Sequence, residues 1–279
     1  MDFIKKTGMA LVLGTMLWSC SEPQTGDLQI KADLGHITTG ELEAIYTYDN
    51  PPYYTRSELG LYFQLELNDK KEDTLFWTLT TTRARMVQGQ PVGQDIAYDS
   101  DPSGENTNLN DHLRGTYSSL LNVPIPLKSN VYGQLLDSIH YEELFGGAAY
   151  TVANNSNLNL VLKYLFMDLP QGNLNQGHSW DSTYTLTYSA PVDVHETYTI
   201  TSFSPPSVEV ISRMSRNENR KDFQDVQEIT GEEETQINLN PETGITQKVR
   251  SVQNLSMQMN QEGKEFEVKF KTLIELDLE

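Results

Sequence analysis

The chain has 279 residues, a formal net charge of −19 and 37% apolar residues. This length is enough for a sizeable core, and it favours two compact units. The acidic charge argues against nucleic acid as a partner, because phosphate binding needs a basic patch.

A signal peptide is predicted at the N-terminus. Lys5 and Lys6 precede an apolar run at residues 9–17, which is too short to span a bilayer. The run ends in Leu-Trp-Ser-Cys at residues 17–20, which resembles the lipobox of bacterial lipoproteins, where cleavage precedes a cysteine that becomes lipidated. The alternative is an ordinary signal peptide followed by a chance cysteine. We predict a signal peptide at 1–19 and lipidation of Cys20.

The lipobox also predicts a location. The protein is expected in the cell envelope, anchored through its lipid to the membrane, with the outer membrane favoured and the periplasmic or surface side left open. Cys20 is the single cysteine, so a lipidated chain has no thiol left for a disulfide, a metal–thiolate site or a nucleophile. Residues 20–34 are polar and contain Pro23 and Gly26, which predicts a lipid-anchored tether.

A first β half with helical cover is predicted at residues 35–167. Apolar residues alternate at 59–67 and again at 75–79, which is typical of half-buried strands, and shorter strands are predicted at 42–48, 96–98 and 117–127. The period changes to that of a helix at residues 135–145 and again at 156–166. These helices are expected to cover one face or end of the first sheet.

Residues 168–180 are predicted to form a joint between the two halves. Pro170, Gly172 and Gly177 favour turns. Trp180 follows the last of these turns, and we expect it to be a buried anchor whose N–H donates to a backbone carbonyl of the joint.

The second β half is predicted at residues 181–279. Apolar residues alternate near residues 184–188, 198–200, 208–210, 237–239 and 252–259, and most clearly at 266–278, whereas the charged residues 215–223 predict a loop. The predicted fold class is mainly β (α+β), with two antiparallel curved sheets or half-barrels joined by a short helical segment.

Four short motifs stand out: Tyr-Asp-Ser at 98–100, Leu-Pro at 169–170, Gly-His-Ser-Trp at 177–180 and Asn-Pro-Glu-Thr-Gly at 240–244. Together they resemble an uncharacterised family of secreted Bacteroidota envelope lipoproteins, although His178 departs from the acidic residue expected there. The resemblance covers most of the mature chain. It implies an envelope lipoprotein and supplies no activity.

The sequence contains no complete motif for catalysis, metal binding or cofactor binding. The five histidines form no metal-ligand pair, and no nucleophile elbow or phosphate-binding loop occurs, so no cofactor or catalytic residue is predicted. The acidic runs at 142–143 and 232–234 are interpreted as solvated faces. Residues 99–105 match the first half of a calcium loop, but Asn110 stands where a bidentate glutamate is needed. We therefore interpret residues 99–104 as a turn.

Three functions stay open from sequence. The first is a non-enzymatic envelope lipoprotein that binds an apolar ligand, a peptide or a partner protein through antiparallel sheets. The second is a structural subunit of an outer-membrane complex. The third, least favoured, is a carbohydrate-active hydrolase, which would need two carboxylates facing each other across a cleft.

Replacing Cys20 with Ala tests the lipidation. We expect the variant to leave the membrane fraction and to lose acylation, because the lipidated thiol is its predicted anchor. Cell fractionation and mass spectrometry measure both effects. A Cys20→Ala protein that stays acylated in the membrane would contradict the prediction.

Overall fold

The computed structural model describes residues 25–279 except 51–52, 91, 105–110, 156–157, 188–190, 205–206, 220–225 and 262–263. The predicted fold class is confirmed: the protein is mostly β, with two antiparallel sheets, one of them large, and a short helical segment. Within the described residues neither sheet is closed on itself.

The large sheet contains eleven strands within the described residues. In chain order the strands are β2 (Ile37–Asn50), β3 (Tyr53–Lys71), β4 (Thr74–Gln88), β5 (Ile96–Asp99), β6 (Pro124–Asn130), β8 (Ser179–Thr187), β9 (Pro191–Ser204), β10 (Ser207–Asn219), β11 (Val226–Leu239), β12 (Thr246–Gln261) and β13 (Lys264–Leu278). Along the main path of the sheet the order is β5-β4-β3-β2-β13-β12-β11-β10-β9-β8, and β6 pairs with β4 beside β5.

The predicted β halves meet edge to edge in this sheet. β2 comes from the first half and β13 from the second, and they pair antiparallel from Gly40↔Leu278 to Asp49↔Lys269. The first and last strands of the large sheet in chain order therefore pair near its centre, and each half extends outward from that central pair.

Period-two alternation sets which face of the sheet is buried. On β3 the odd-numbered residues from Leu59 to Leu67 are buried, and on β13 the even-numbered residues Ile274 and Leu276 are buried on the same face. The buried set switches parity on β4, because a register shift near Thr82 leaves Leu79 and Ala84 both pointing inward.

Four α-helices and one 3-10 helix (Gly146–Ala148) lie within the described residues, and the sequence predicts only some of the α-helices. The α-helices are α1 (Asp111–Leu120), α2 (Tyr141–Phe145), α3 (Ala149–Asn155) and α4 (Leu158–Leu165).

The helix predicted at 156–166 is confirmed as α4, which buries Leu158, Val161 and Leu165. The helix predicted at 135–145 is wrong for its first half, because Leu135 instead forms a β-bridge with Ser129. The strand predicted at 117–127 is wrong for residues 117–120, which end α1 and bury Tyr117 and Leu120.

Two further boundaries differ from the prediction. The loop predicted at 215–223 is strand as far as Asn219, where β10 ends, and residues 220–225 lie outside the described residues. The sequence predicts a tether through residue 34, but Leu28 and Ile30 are buried, and the Ile30 amide donates to the Val131 carbonyl at 2.7 Å. The described part of this segment thus belongs to the folded core.

The predicted joint contains the second, two-stranded sheet. β1 (Thr25–Gly26) pairs with β7 (Leu174–Asn175), so the start of the described chain is fixed to residues 168–180. Gly172 and Gly177 have φ of 101° and 88°, the left-handed region that favours glycine, as expected for the predicted turns.

Trp180 anchors the start of β8. Its indole N–H donates to the Asp168 carbonyl at 3.0 Å, which confirms the predicted backbone partner. The indole stacks on the Tyr198 ring with centroids 5.2 Å apart and planes 11° apart, and the His178 ring lies 6.3 Å away. The side chain is half-buried rather than fully buried, and it packs against the core.

Replacing Trp180 with Ala should destabilise the fold. We expect a loss of about 2–3 kcal/mol, below the usual cost for a fully buried indole because the side chain is half-buried. Trp180→Phe should lose less, since it keeps an aromatic ring for the stack and removes the N–H bond and part of the indole's contact area. Urea unfolding of both variants measures this, and equal stability of Trp180→Ala and the parent would refute the anchor role.

Candidate functional site

Strand register aligns polar side chains in a row across the buried face of the sheet. We call it the polar row. It crosses five neighbouring strands, β11, β12, β13, β2 and β3, through successive pairs. Its members are Glu233, Gln253, Thr272, Tyr46 and Ser57.

Lys163 of α4 joins one end of this row to the helices. Its ammonium lies 3.2 Å from a carboxylate oxygen of Glu233 and 3.4 Å from one of Glu196 on β9. The two carboxylates are 6% and 1% exposed, and the lysine side chain is 14% exposed. Buried charges of this kind require a partner, and here one cation serves two anions.

Neutral donors complete the hydrogen bonding of Glu233. Its Oε1 accepts from Ser251 at 2.9 Å and from Thr235 at 3.2 Å, and its Oε2 accepts from Gln253 at 3.1 Å. The Tyr164 hydroxyl lies 3.5 Å from Oε1. Glu233 therefore has both oxygens engaged inside the protein.

Glu196 is held in a similar way. One oxygen accepts from the Ser212 hydroxyl, and the other accepts from the Tyr198 hydroxyl at 2.9 Å. Tyr198 is the residue on which Trp180 stacks, so the buried charges connect through one ring to the joint.

Burial and charge act in opposite directions on the pKa of Glu233. Burial alone raises the pKa of this carboxyl, but the nearby Lys163 ammonium and the hydrogen bonds from Ser251 and Thr235 outweigh it, and the pKa lies below its usual range. Burial raises the pKa of Tyr164 to about 12. Glu233 is therefore ionised and Tyr164 neutral at neutral pH.

The interpretation of residues 232–234 as a solvated face is wrong for Glu233. Its strand neighbours Glu232 and Glu234 are exposed, as predicted, and only the middle residue points inward. Glu196 and Glu233 do converge, which is the feature a hydrolase would need. They are buried in an ion pair, however, and do not face each other across an open cleft.

Beyond the polar row, the same face becomes apolar again. We call these seven residues the apolar strip: Tyr48 on β2, Leu255, Met257 and Met259 on β12, and Phe266, Val268 and Phe270 on β13. Register places Leu255 opposite Phe270, which is opposite Tyr48. Met257 pairs with Val268, and Met259 with Phe266.

The apolar strip is separate from the main core. In the part of the chain that the structure describes, the core on β13 includes Ile274 and Leu276 and does not extend to Phe270. The Tyr48 and Phe270 rings contact each other with centroids 5.1 Å apart. Apart from Val268, which is buried, the strip residues are half-buried. The polar row lies between the core and the strip.

The opposite face of the sheet is polar and carries shallow cavities. One of 660 Å³ has Ile211 and Val252 among its lining, with the Arg213–Glu234 ion pair beside them. The other side chains at this cavity carry hydroxyl, amide or acidic groups: Thr197, Thr199, Thr201, Glu232 and Asn254.

The predicted turn at residues 99–104 is present, and its first carboxylate, that of Asp99, forms an ion pair with an arginine. Arg83 donates two hydrogen bonds to Asp99, at 2.9 and 2.6 Å, and lowers the pKa of that carboxyl. Asp101 accepts from the Ser103 amide and hydroxyl. Among the described residues, no group of three or more His, Cys, Asp or Glu side chains is placed to hold a metal ion.

Cys20, the predicted lipidation site, lies outside the described residues. No helix in the described part of the chain is long and apolar enough to cross a membrane.

Comparison with known proteins gives a fold but no family. No protein-family model matches the chain, and no curated protein matches it. A solved structure of lipovitellin, concerned with its lipid–protein interactions, is 14% identical with a TM-score of 0.53. The match covers 88% of this chain and 25% of the lipovitellin chain, so this protein spans about a quarter of that length. At this identity the likeness concerns the fold alone.

A second solved structure, an outer membrane channel from Pseudomonas putida F1, is 8% identical, and the match covers 90% of this chain and 98% of the channel. Its TM-score is 0.24, which is too low to support an argument.

Replacing Lys163 with Met should be strongly destabilising at neutral pH. The change leaves two buried carboxylates without their cation, and we expect a loss of about 3–5 kcal/mol. The lowered pKa of Glu233 contributes stability above its unfolded pKa, and this contribution is lost as the pH falls through the folded value. The deficit of the variant should therefore shrink toward about pH 4, where carboxyls begin to protonate.

Denaturant unfolding at both pH values measures the deficit. Lys248→Met is the matched control, because Lys248 pairs with Asp277 on the exposed face and such pairs contribute little. A Lys163→Met deficit that is independent of pH would contradict the assignment.

Proposed function

We propose that this protein is a non-enzymatic cell-envelope lipoprotein, anchored through Cys20, that binds the acyl portion of a lipid on the apolar strip. The observation that carries the proposal is the order of residues on one sheet face: core, polar row, then a second apolar surface that does not join the core.

The dimensions of the strip suit an acyl chain. From Leu255 to Met259 it runs about 13 Å along the strands, and its three strands span about 10 Å across. Met257 and Met259 supply flexible, polarizable side chains that adapt to an irregular apolar ligand.

The polar row gives the surface an amphipathic layout. Gln253 is two residues from Leu255 on β12, and Thr272 is two residues from Phe270 on β13, so each pair lies on the same face. A ligand whose apolar chain lies on the strip would thus bring its polar end beside amide and hydroxyl groups. The similarity to the lipovitellin fold supports a sheet of this kind as a lipid-binding surface.

A second candidate is a structural subunit of an outer-membrane complex. It is favoured by a different feature, the edge strand β8, whose outer side pairs with no strand among the described residues. The two candidates use different surfaces, so variants can separate them.

Leu255→Asp should abolish lipid binding. The charge would lie within the apolar strip, where an unpaired carboxylate disfavours an apolar ligand by several kcal/mol. We expect at least about a tenfold weaker affinity for a fluorescent long-chain acyl probe, which corresponds to 1.4 kcal/mol. Asn254→Asp is the matched control, since residue 254 is exposed on the opposite face and the added charge is the same.

Organic extraction of the native protein, followed by mass spectrometry, provides a probe-independent measurement. A protein that carries no lipid and binds no acyl probe would contradict the proposal. Equal loss in both Asp variants would point to general destabilisation, and thermal melts distinguish that case.

A further inference from the structure

The two edges of the large sheet are built differently. At one edge β5 has only four residues, and the neighbouring β6 contains Pro124 and Pro126, which cannot donate hydrogen bonds to an added strand. Short strands and prolines are features that protect a sheet edge against association. The opposite edge is formed by β8.

β8 has none of these protective features. Its nine residues, Ser-Trp-Asp-Ser-Thr-Tyr-Thr-Leu-Thr, include no proline, glycine or lysine, and they are rich in residues with high strand propensity. All nine pair with β9 on one side. Within the described residues no strand pairs along its other side, so the backbone there is a template for an added strand.

Several side chains fix the first part of this edge. Ser179 bonds to Thr199 at 2.8 Å, and Thr197 donates to Asp181 at 2.7 Å. The Trp180 indole is held by the Asp168 carbonyl. Residues 179–181 are therefore held in place without a partner, which reduces the entropy that this part of the strand loses on association.

We propose that two copies of this chain associate through β8, which pairs antiparallel with its own copy about a two-fold axis at Thr183. This register leaves all nine residues of each strand opposite a residue of the other. Trp180 then lies opposite Leu186, and Asp181 opposite Thr185. An axis at Asp181 would instead place two carboxylates directly opposite each other, which is destabilising. Such a two-fold interface is self-complementary, as closed dimers require.

The net charge of the chain predicts how the dimer responds to salt. Each copy carries a formal charge of −19, so two copies repel each other at long range. Salt screens this repulsion, whereas backbone pairing at the interface is little affected. The dimer fraction should therefore rise from low to moderate ionic strength.

Cysteine cross-linking tests the register. In a Cys20→Ala background the chain has no other thiol. Thr183→Cys places two thiols opposite each other across the axis, within disulfide reach, and should give a covalent dimer on oxidation. Thr197→Cys is the control: residue 197 is exposed on β9, one strand further from the axis, and its two copies lie beyond disulfide reach. We expect about tenfold more cross-linked dimer at position 183 than at position 197.

Sedimentation of the full chain provides the second measurement. The parent and Thr183→Val should be dimers, whereas Thr183→Lys should be monomeric, because it places two like charges opposite each other at the axis. Circular dichroism melts check that both variants fold. A monomeric parent at every salt concentration overturns the proposal, and so does a dimer that neither cross-links at 183 nor dissociates in Thr183→Lys.

Discussion

The ion pair of Lys163 with Glu196 and Glu233 determines where the hydrophobic core ends. Helix α4 covers the sheet with its apolar side, and Lys163 is the point at which that side becomes charged. The carboxylates that neutralise it come from β9 and β11, so the buried face of the sheet carries polar residues where these strands pass Lys163. The polar row continues this level across the neighbouring strands, and everything beyond it lies outside the core.

Much of the strand pattern could be predicted from sequence because alternation is a local property. Strands β3 and β13 alternate over many residues, and the structure places their apolar residues on one face as expected. The partner of the Trp180 N–H was also predictable, since a half-buried indole beside a turn has backbone carbonyls nearby. The pairing of β2 with β13 could not be predicted in this way, because it joins residues more than 200 positions apart.

The errors have physical causes. The sequence predicts one strand from residue 117 to residue 127, but residues 117–120 complete a helix that buries Tyr117 and Leu120. Tertiary burial overrides a short propensity signal of this kind. An acidic run predicts solvated side chains, but in a strand every second residue points to the other face, and the prediction is therefore wrong for Glu233. The middle glutamate of the three therefore faces the protein interior while its two neighbours face solvent.

Buried charge is a weak source of stability compared with apolar packing of the same volume, so its position here calls for another explanation. The central strands are long: β12 has 16 residues and β13 has 15. Along such strands a slip of two residues keeps apolar residues on the same face and changes packing only modestly. Glu233 opposes that slip, because moving it by two residues would separate its carboxylate from Lys163 and leave that carboxylate buried without its cation. The polar row thus specifies the register of the strands, and in doing so it fixes the apolar strip on one side and the core on the other.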